Sequence, residues 1–181
     1  MGYTFKAFQK EAVIKHLGLN DYKYIMDTFT VSKDIKEDYE FQKKFNYFYK
    51  VRRNEAWRVK FYGLFQELKS VENVTFERIL DELHERTGNW EASFASKMLA
   101  TINPNKPIWD SKVLESLDIK APEQNKQLDT YVEVYNKIVM KEEELLARKD
   151  IRDTIDAFNE VYGEYQLSDI KILDFILWNG K

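Results

Sequence analysis

The chain has no cysteine among its 181 residues, two histidines, three prolines and six glycines. Without a thiol it forms no disulfide, thiolate zinc site or iron–sulfur cluster, and it has no cysteine nucleophile. His16 and His84 are the only imidazoles, and His84-Glu85 is followed by Arg86-Thr87, which breaks the H-E-x-x-H zinc pattern. P-loop, G-x-S-x-G and G-x-G-x-x-G motifs are absent too, so neither a metal nor a cofactor is expected. No apolar run approaches the roughly 18 residues needed to span a bilayer. The opening residues, MGYTFKAFQKEA, hold no signal-peptide core, so the expectation is a cytoplasmic protein with no membrane partner.

What the chain has in quantity is apolar surface. Hydrophobic residues make up 44% and aromatics 15%, with 12 Phe, 11 Tyr and 4 Trp. That is ample to build a core without covalent staples. The length fits one large domain or two small helical lobes, because domains most often run to about 100–150 residues.

The net charge of −3 is unevenly spread. Residues 1–109 carry 18 Lys and Arg against 15 acids, while residues 110–181 carry 10 against 16. The basic excess peaks where Lys43, Lys44, Lys50, Arg52, Arg53, Arg58 and Lys60 face one acid, Glu55. Such a patch can bind phosphates. It is also what a solvated helix face looks like.

The scarce Gly and Pro fall where helices should end. Thr4 caps a first helix with Phe5, Phe8, Ala12, Val13 and Leu17 inward, stopped by Gly18. Asn20 opens a second through Ile25 and Phe29, and a third carries Tyr39, Phe41, Phe45, Phe48 and Tyr49. A fourth, capped by Asn54, buries Trp57, Phe61, Leu64, Phe65 and Leu68 at helical spacing. Thr75 caps a fifth, with Val74 and Ile79 as a hydrophobic staple, and Gly88 ends it. A sixth runs from Asn89 to Thr101, before the turn Asn103-Pro104-Asn105-Lys106-Pro107, whose prolines cannot continue a helix.

A short helix then follows from Asp110 to Leu117. Pro122 opens a long one with Leu128, Tyr131, Val132, Tyr135, Ile138 and Val139 inward. The run Lys141-Glu142-Glu143-Glu144 reads as solvated surface. Ile151 to Tyr162 form the next helix, closed by Gly163, and Ser168 caps the last, burying Ile170, Leu173, Ile176 and Leu177. The expected fold is all-α and globular, with about nine to ten helices in a single domain over 1–181. A two-lobe division is also open, with residues 1–88 plus 122–181 packing around 89–121.

One stretch suggests chemistry. From Ser93 the chain reads SFASKMLATINPNKPIWDSKVLESLDI, a helix leading into a proline-stiffened turn that delivers Asp110 to the start of another helix. A carboxylate there accepts the free amides of the next turn and faces the positive end of the helix dipole. The same bonds can hold it ionised and aimed into a cleft.

The residues from Ala95 to Ile119, above all Pro107-Ile108-Trp109-Asp110-Ser111-Lys112-Val113, resemble the helix-hairpin-helix superfamily of DNA base-excision glycosylases. In that family a helix and a Gly/Pro-containing loop deliver an aspartate to a short helix, whose apolar positions are matched here by Val113, Leu114 and Leu117. The family's Leu-Pro-Gly-x-Gly hairpin corresponds to Thr87-Gly88-Asn89-Trp90-Glu91, which keeps one glycine. The position of the catalytic lysine in bifunctional members falls near Ala92, and the residue after Ser111, often histidine in the family, is Lys112.

The resemblance implies a glycosylase-like arrangement of helices, a double-stranded DNA partner and monofunctional cleavage of an N-glycosidic bond. A flipped-out base enters a pocket, and Asp110 stabilises the sugar cation and activates water. Trp109 and Trp90 are then expected to line the pocket, Lys97 and Lys112 to hold the substrate, and Lys50, Arg52, Arg53, Arg58 and Lys60 to contact nucleic-acid phosphates. The rival reading keeps the helices and discards the chemistry. In it Asp110 is only a cap, and the protein is an interaction module that grips a protein or nucleic-acid partner. An Asp110 exposed at a cleft flanked by basic residues favours the first, and a sealed, backbone-saturated one the second.

Overall fold

Capping side chains mark where helices begin. In the computed structural model, which describes residues 10–123 and 127–179, Asp38, Asn54, Thr75 and Asp110 each accept a hydrogen bond from a first-turn amide. Ser168 does the same for the Lys171 amide at 3.1 Å. Ten α-helices result among the described residues: α1 (Lys10–Leu17), α2 (Leu19–Val31), α3 (Tyr39–Phe48), α4 (Glu55–Leu68), α5 (Phe76–Thr87), α6 (Ala92–Ile102), α7 (Ser111–Ser116), α8 (Leu128–Leu146), α9 (Lys149–Tyr162) and α10 (Asp169–Asn179). A 3-10 turn, Gly163–Tyr165, follows α9. The fold is all-α, with no strand among the described residues. Thr4, Phe5 and Phe8, expected to start the first helix, lie outside those residues.

Two helix starts differ from the sequence reading. Pro122 does not open the long helix, which begins at Leu128 after Gln127. α6 begins at Ala92 rather than Asn89, because Thr87 and Asn89 spend their side chains on bonds to the backbone of their own turn.

α2 packs along α3, α4 on α5, and α5 in turn on α6 and α8. α10 joins the C-terminal half, touching α7, α8 and α9. The N-terminal half is anchored by aromatic rings. Phe29 stacks on Phe65 at 5.1 Å, Phe45 meets Phe61 at 5.8 Å, and Phe61 meets Tyr62 edge-on at 5.2 Å. Fully burying each Phe contributes about 1.5–3 kcal/mol. Apart from Tyr22 and Ile170, the buried apolar residues form one continuous cluster from Val13 to Leu177.

The corner between α1 and α2 depends on glycine. Gly18 adopts φ +66°, and a Cβ there would lie 3.2 Å from the Phe48 ring, so a side chain at this corner would strain the backbone and push on the end of α3. No helix among the described residues is long and apolar enough to cross a membrane.

Candidate functional site

A cleft of about 920 Å³ opens where the α1–α2 corner and the end of α3 face α6, the start of α7 and α10. Phe48, Phe94, Phe175 and Trp178 supply aromatic wall. Its charged lining is Lys15, Lys44, Lys50, Lys97 and Lys171 against Asp21, Asp110 and Asp174. A chain with net charge −3 therefore presents a cleft of positive excess, and low-dielectric walls concentrate that field.

Asp110 reaches the cleft because the turn before it is pinned from three helices. The Ser168 hydroxyl donates to the Pro104 carbonyl at 2.6 Å, and the Tyr135 hydroxyl donates to the Pro107 carbonyl at 3.0 Å. The Trp109 amide donates to the Ser96 hydroxyl oxygen at 2.8 Å. Asp110 then caps α7, its Oδ1 accepting the Lys112 amide at 3.0 Å. Oδ2 makes no such bond and faces the Lys97 Nζ at 4.0 Å, with the carboxylate side chain 24% exposed. One oxygen is spent on structure and the other is presented to the cleft.

Lys97 comes from the middle of α6 and is 7% exposed, yet it lines the cleft. Its ammonium donates to the Tyr49 carbonyl at 3.3 Å. Burial holds its pKa below the usual lysine range, Asp110 opposes that shift, and Lys171 adds to it. A depressed lysine on the floor of an open cleft is a site signal of the kind that marks nucleophilic amines.

Beneath it lies a buried ionic group that sequence reading missed. Lys171 and Asp174 of α10 are both buried at the cleft floor, their charged atoms 3.7 Å apart. Glu142 of α8 is fully buried too. Neither Asp174 nor Glu142 has a hydrogen-bond partner for its carboxyl oxygens. Burial pushes Asp174 up to about 7 against the opposing pull of Lys171. Burial and the Asp174 charge push Glu142 well above the carboxylate range. The reading of Glu142 as solvated surface is thus corrected: it lies on the Tyr131, Tyr135 and Ile138 face, four residues beyond Ile138, and helical period places it inward.

The residues singled out from sequence separate into groups. Asp110, Lys97 and Lys50 line the cleft. Lys112 stands at its edge, its ammonium 3.6 Å over the Trp178 ring. Trp109 and Trp90 do not line it. Trp109 is buried in the core against Phe76, and Trp90 stacks on His84 at 3.7 Å. Both are near Asp110 in the chain, but their rings pack on α5 rather than toward α10. Arg53 is engaged by the buried Glu91 carboxylate at 2.8 Å, which also accepts the Trp57 indole N–H. Arg52, Arg58 and Lys60 lie outside the cleft lining.

Among the described residues, no group of three or more potential ligands converges to hold a metal ion. No protein-family model, curated protein or solved structure matches this chain.

Proposed function

We propose that the cleft takes a nucleotide turned out of double-stranded DNA and cleaves its N-glycosidic bond. The observation that carries this reading is the Asp110 carboxylate, presented with one free oxygen beside the buried Lys97 amine in a cleft of positive excess. The aromatic walls suit a planar base, and the rim lysines suit the phosphates on either side. As the C1′–N bond breaks, its electron pair leaves on the base, and the Asp110 charge stabilises the cation left on the sugar.

Two nucleophiles can complete the step. Water activated by Asp110 gives simple hydrolysis. The Lys97 amine, once deprotonated, attacks C1′ with its lone pair as the base departs, and the sugar–lysine adduct becomes a Schiff base when the C1′–O4′ bond opens and O4′ takes up the proton that the nitrogen releases. The burial of Lys97 at the cleft floor favours the amine, whereas the resemblance points to water.

Duplexes carrying single damaged bases, incubated with the protein, test both forms. Asp110→Asn should reduce base release at least about 100-fold while DNA binding persists, since the amide keeps the shape and loses the charge. Borohydride should trap the wild type on DNA, and Lys97→Met should lose the trap. Release without trapping makes water the nucleophile. No release from any lesion, with Asp110→Asn binding DNA as the wild type does, leaves the protein a binding module.

A further inference from the structure

We infer that Lys171 is a positioning residue acting through Lys97: its ammonium, fixed on the same cleft floor, weakens the hold of Lys97 on its proton and so readies that amine to react. The inference rests on reading the cleft as a reaction site and states how its amine is kept ready.

The two lysines flank one residue. Lys97 donates to the Tyr49 carbonyl, while the Lys171 Nζ lies 5.6 Å from the centre of the Tyr49 ring. A fixed cation at Lys171 disfavours a second charge at Lys97 in this low-dielectric interior. The surroundings favour the charge at Lys171. Lys171 is boxed by the faces of Phe175 at 4.7 Å, Tyr22 at 5.0 Å and Phe48 at 5.3 Å as well as Tyr49. Each face attracts a desolvated cation.

Burial lowers the Lys171 pKa too, but the Asp174 carboxyl at 3.7 Å and the Asp110 charge oppose that shift. Lys97 has one ring, Phe94 at 5.5 Å, and one carboxylate, Asp110 at 4.0 Å. Arg53 shares the Phe94 ring, but its charge is met by Glu91. The Tyr22 and Tyr49 phenols are pushed up by burial and stay neutral. A cation is therefore held at Lys171 by more partners than at Lys97. Placing a lysine beside a second fixed cation is an established means of freeing it as a nucleophile.

Reductive methylation of the intact protein without DNA, with formaldehyde and cyanoborohydride and read lysine by lysine by mass spectrometry across pH, tests this. In the wild type, labelling of Lys97 should reach half-maximum at lower pH than labelling of exposed Lys149. In Lys171→Met the Lys97 midpoint should rise by about one pH unit or more, and in Lys171→Arg it should stay where it was. If Lys171→Met does not fold, the paired variant Lys171→Met/Asp174→Asn removes both charges together and should show the same rise.

A Lys97 midpoint unmoved by loss of the Lys171 charge overturns the inference, as does a wild-type Lys97 that is never labelled. Because no nucleic acid is present, the outcome is separate from that of the base-release assay. A moved midpoint without base release retires the glycosylase reading alone, and base release with an unmoved midpoint retires only the role of Lys171.

Discussion

At the scale of single residues, the costliest placement is the pair of buried carboxyls. Asp174 and Glu142 are sealed from water without hydrogen bonds to their oxygens, and an ionised carboxylate in that setting is strongly destabilising. Asp174 releases its proton near 7 in the folded protein and near 3.8 when unfolded. Between those values the folded state binds a proton that the unfolded chain has lost. The stability from this group is therefore complete below about 3.8 and disappears as pH rises through about 7. Glu142, also raised, acts in the same direction. Lys97 and Lys171, both lowered, act with the opposite slope toward the ordinary lysine value of 10.5. Asp174→Asn should accordingly raise Tm at about pH 8 relative to wild type by at least about 4 °C more than it does at about pH 5. Thermal melts of the two proteins at both pH values check it, and a difference independent of pH would mean that the carboxyl is not the titrating group.

At the scale of helices, the signals that were legible are local ones. Asn54, Thr75, Asp110 and Ser168 all cap where a short polar side chain precedes an apolar period. The inward faces of α4 and α10 likewise follow from spacing alone. Charge misled where it was given precedence over period. Asp174 is four residues after Ile170 and three before Leu177, squarely on the buried face of α10, and Glu142 continues the stripe of α8. Pro122 misled in another way, because it lies outside any helix and α8 begins only at Leu128. The caps also differ in what they hold. The Ser168 hydroxyl serves α10 and the proline turn together. Ser168→Ala should cost about 1 kcal/mol and lower Tm by about 2–4 °C. Asp110→Asn should leave Tm nearly unchanged, since Asn caps as well as Asp. Differential scanning calorimetry of the two variants compares them, and a large loss for Asp110→Asn would make that carboxylate a structural charge first.

At the scale of the whole molecule, the cleft draws its residues from four separated parts of the chain: 14–21, 44–50, 93–110 and 171–178. A search outward from Asp110 along the sequence finds one of these and brings in Trp90 and Trp109, which tertiary packing turns into core. Phe175, Trp178 and Lys171 could be found only once α10 was known to lie against α7. The basic stretch divides for the same reason. The end of α3 turns at Lys50, which takes the left-handed φ of +56° and stands 4.6 Å over the Tyr47 ring at the cleft. Lys60 is exposed on α4, away from it. If DNA follows the cleft, its phosphates meet Lys50 and Lys112 and not Lys60. Each lost phosphate contact lowers the slope of log affinity against log salt by about 1. Lys50→Ala and Lys112→Ala should each show that loss in titrations of a duplex at several salt concentrations, while Lys60→Ala keeps the wild-type slope. The reverse pattern would place the nucleic acid along α4, where no cleft carboxylate can reach a sugar, and would separate the binding of DNA from any chemistry at Asp110.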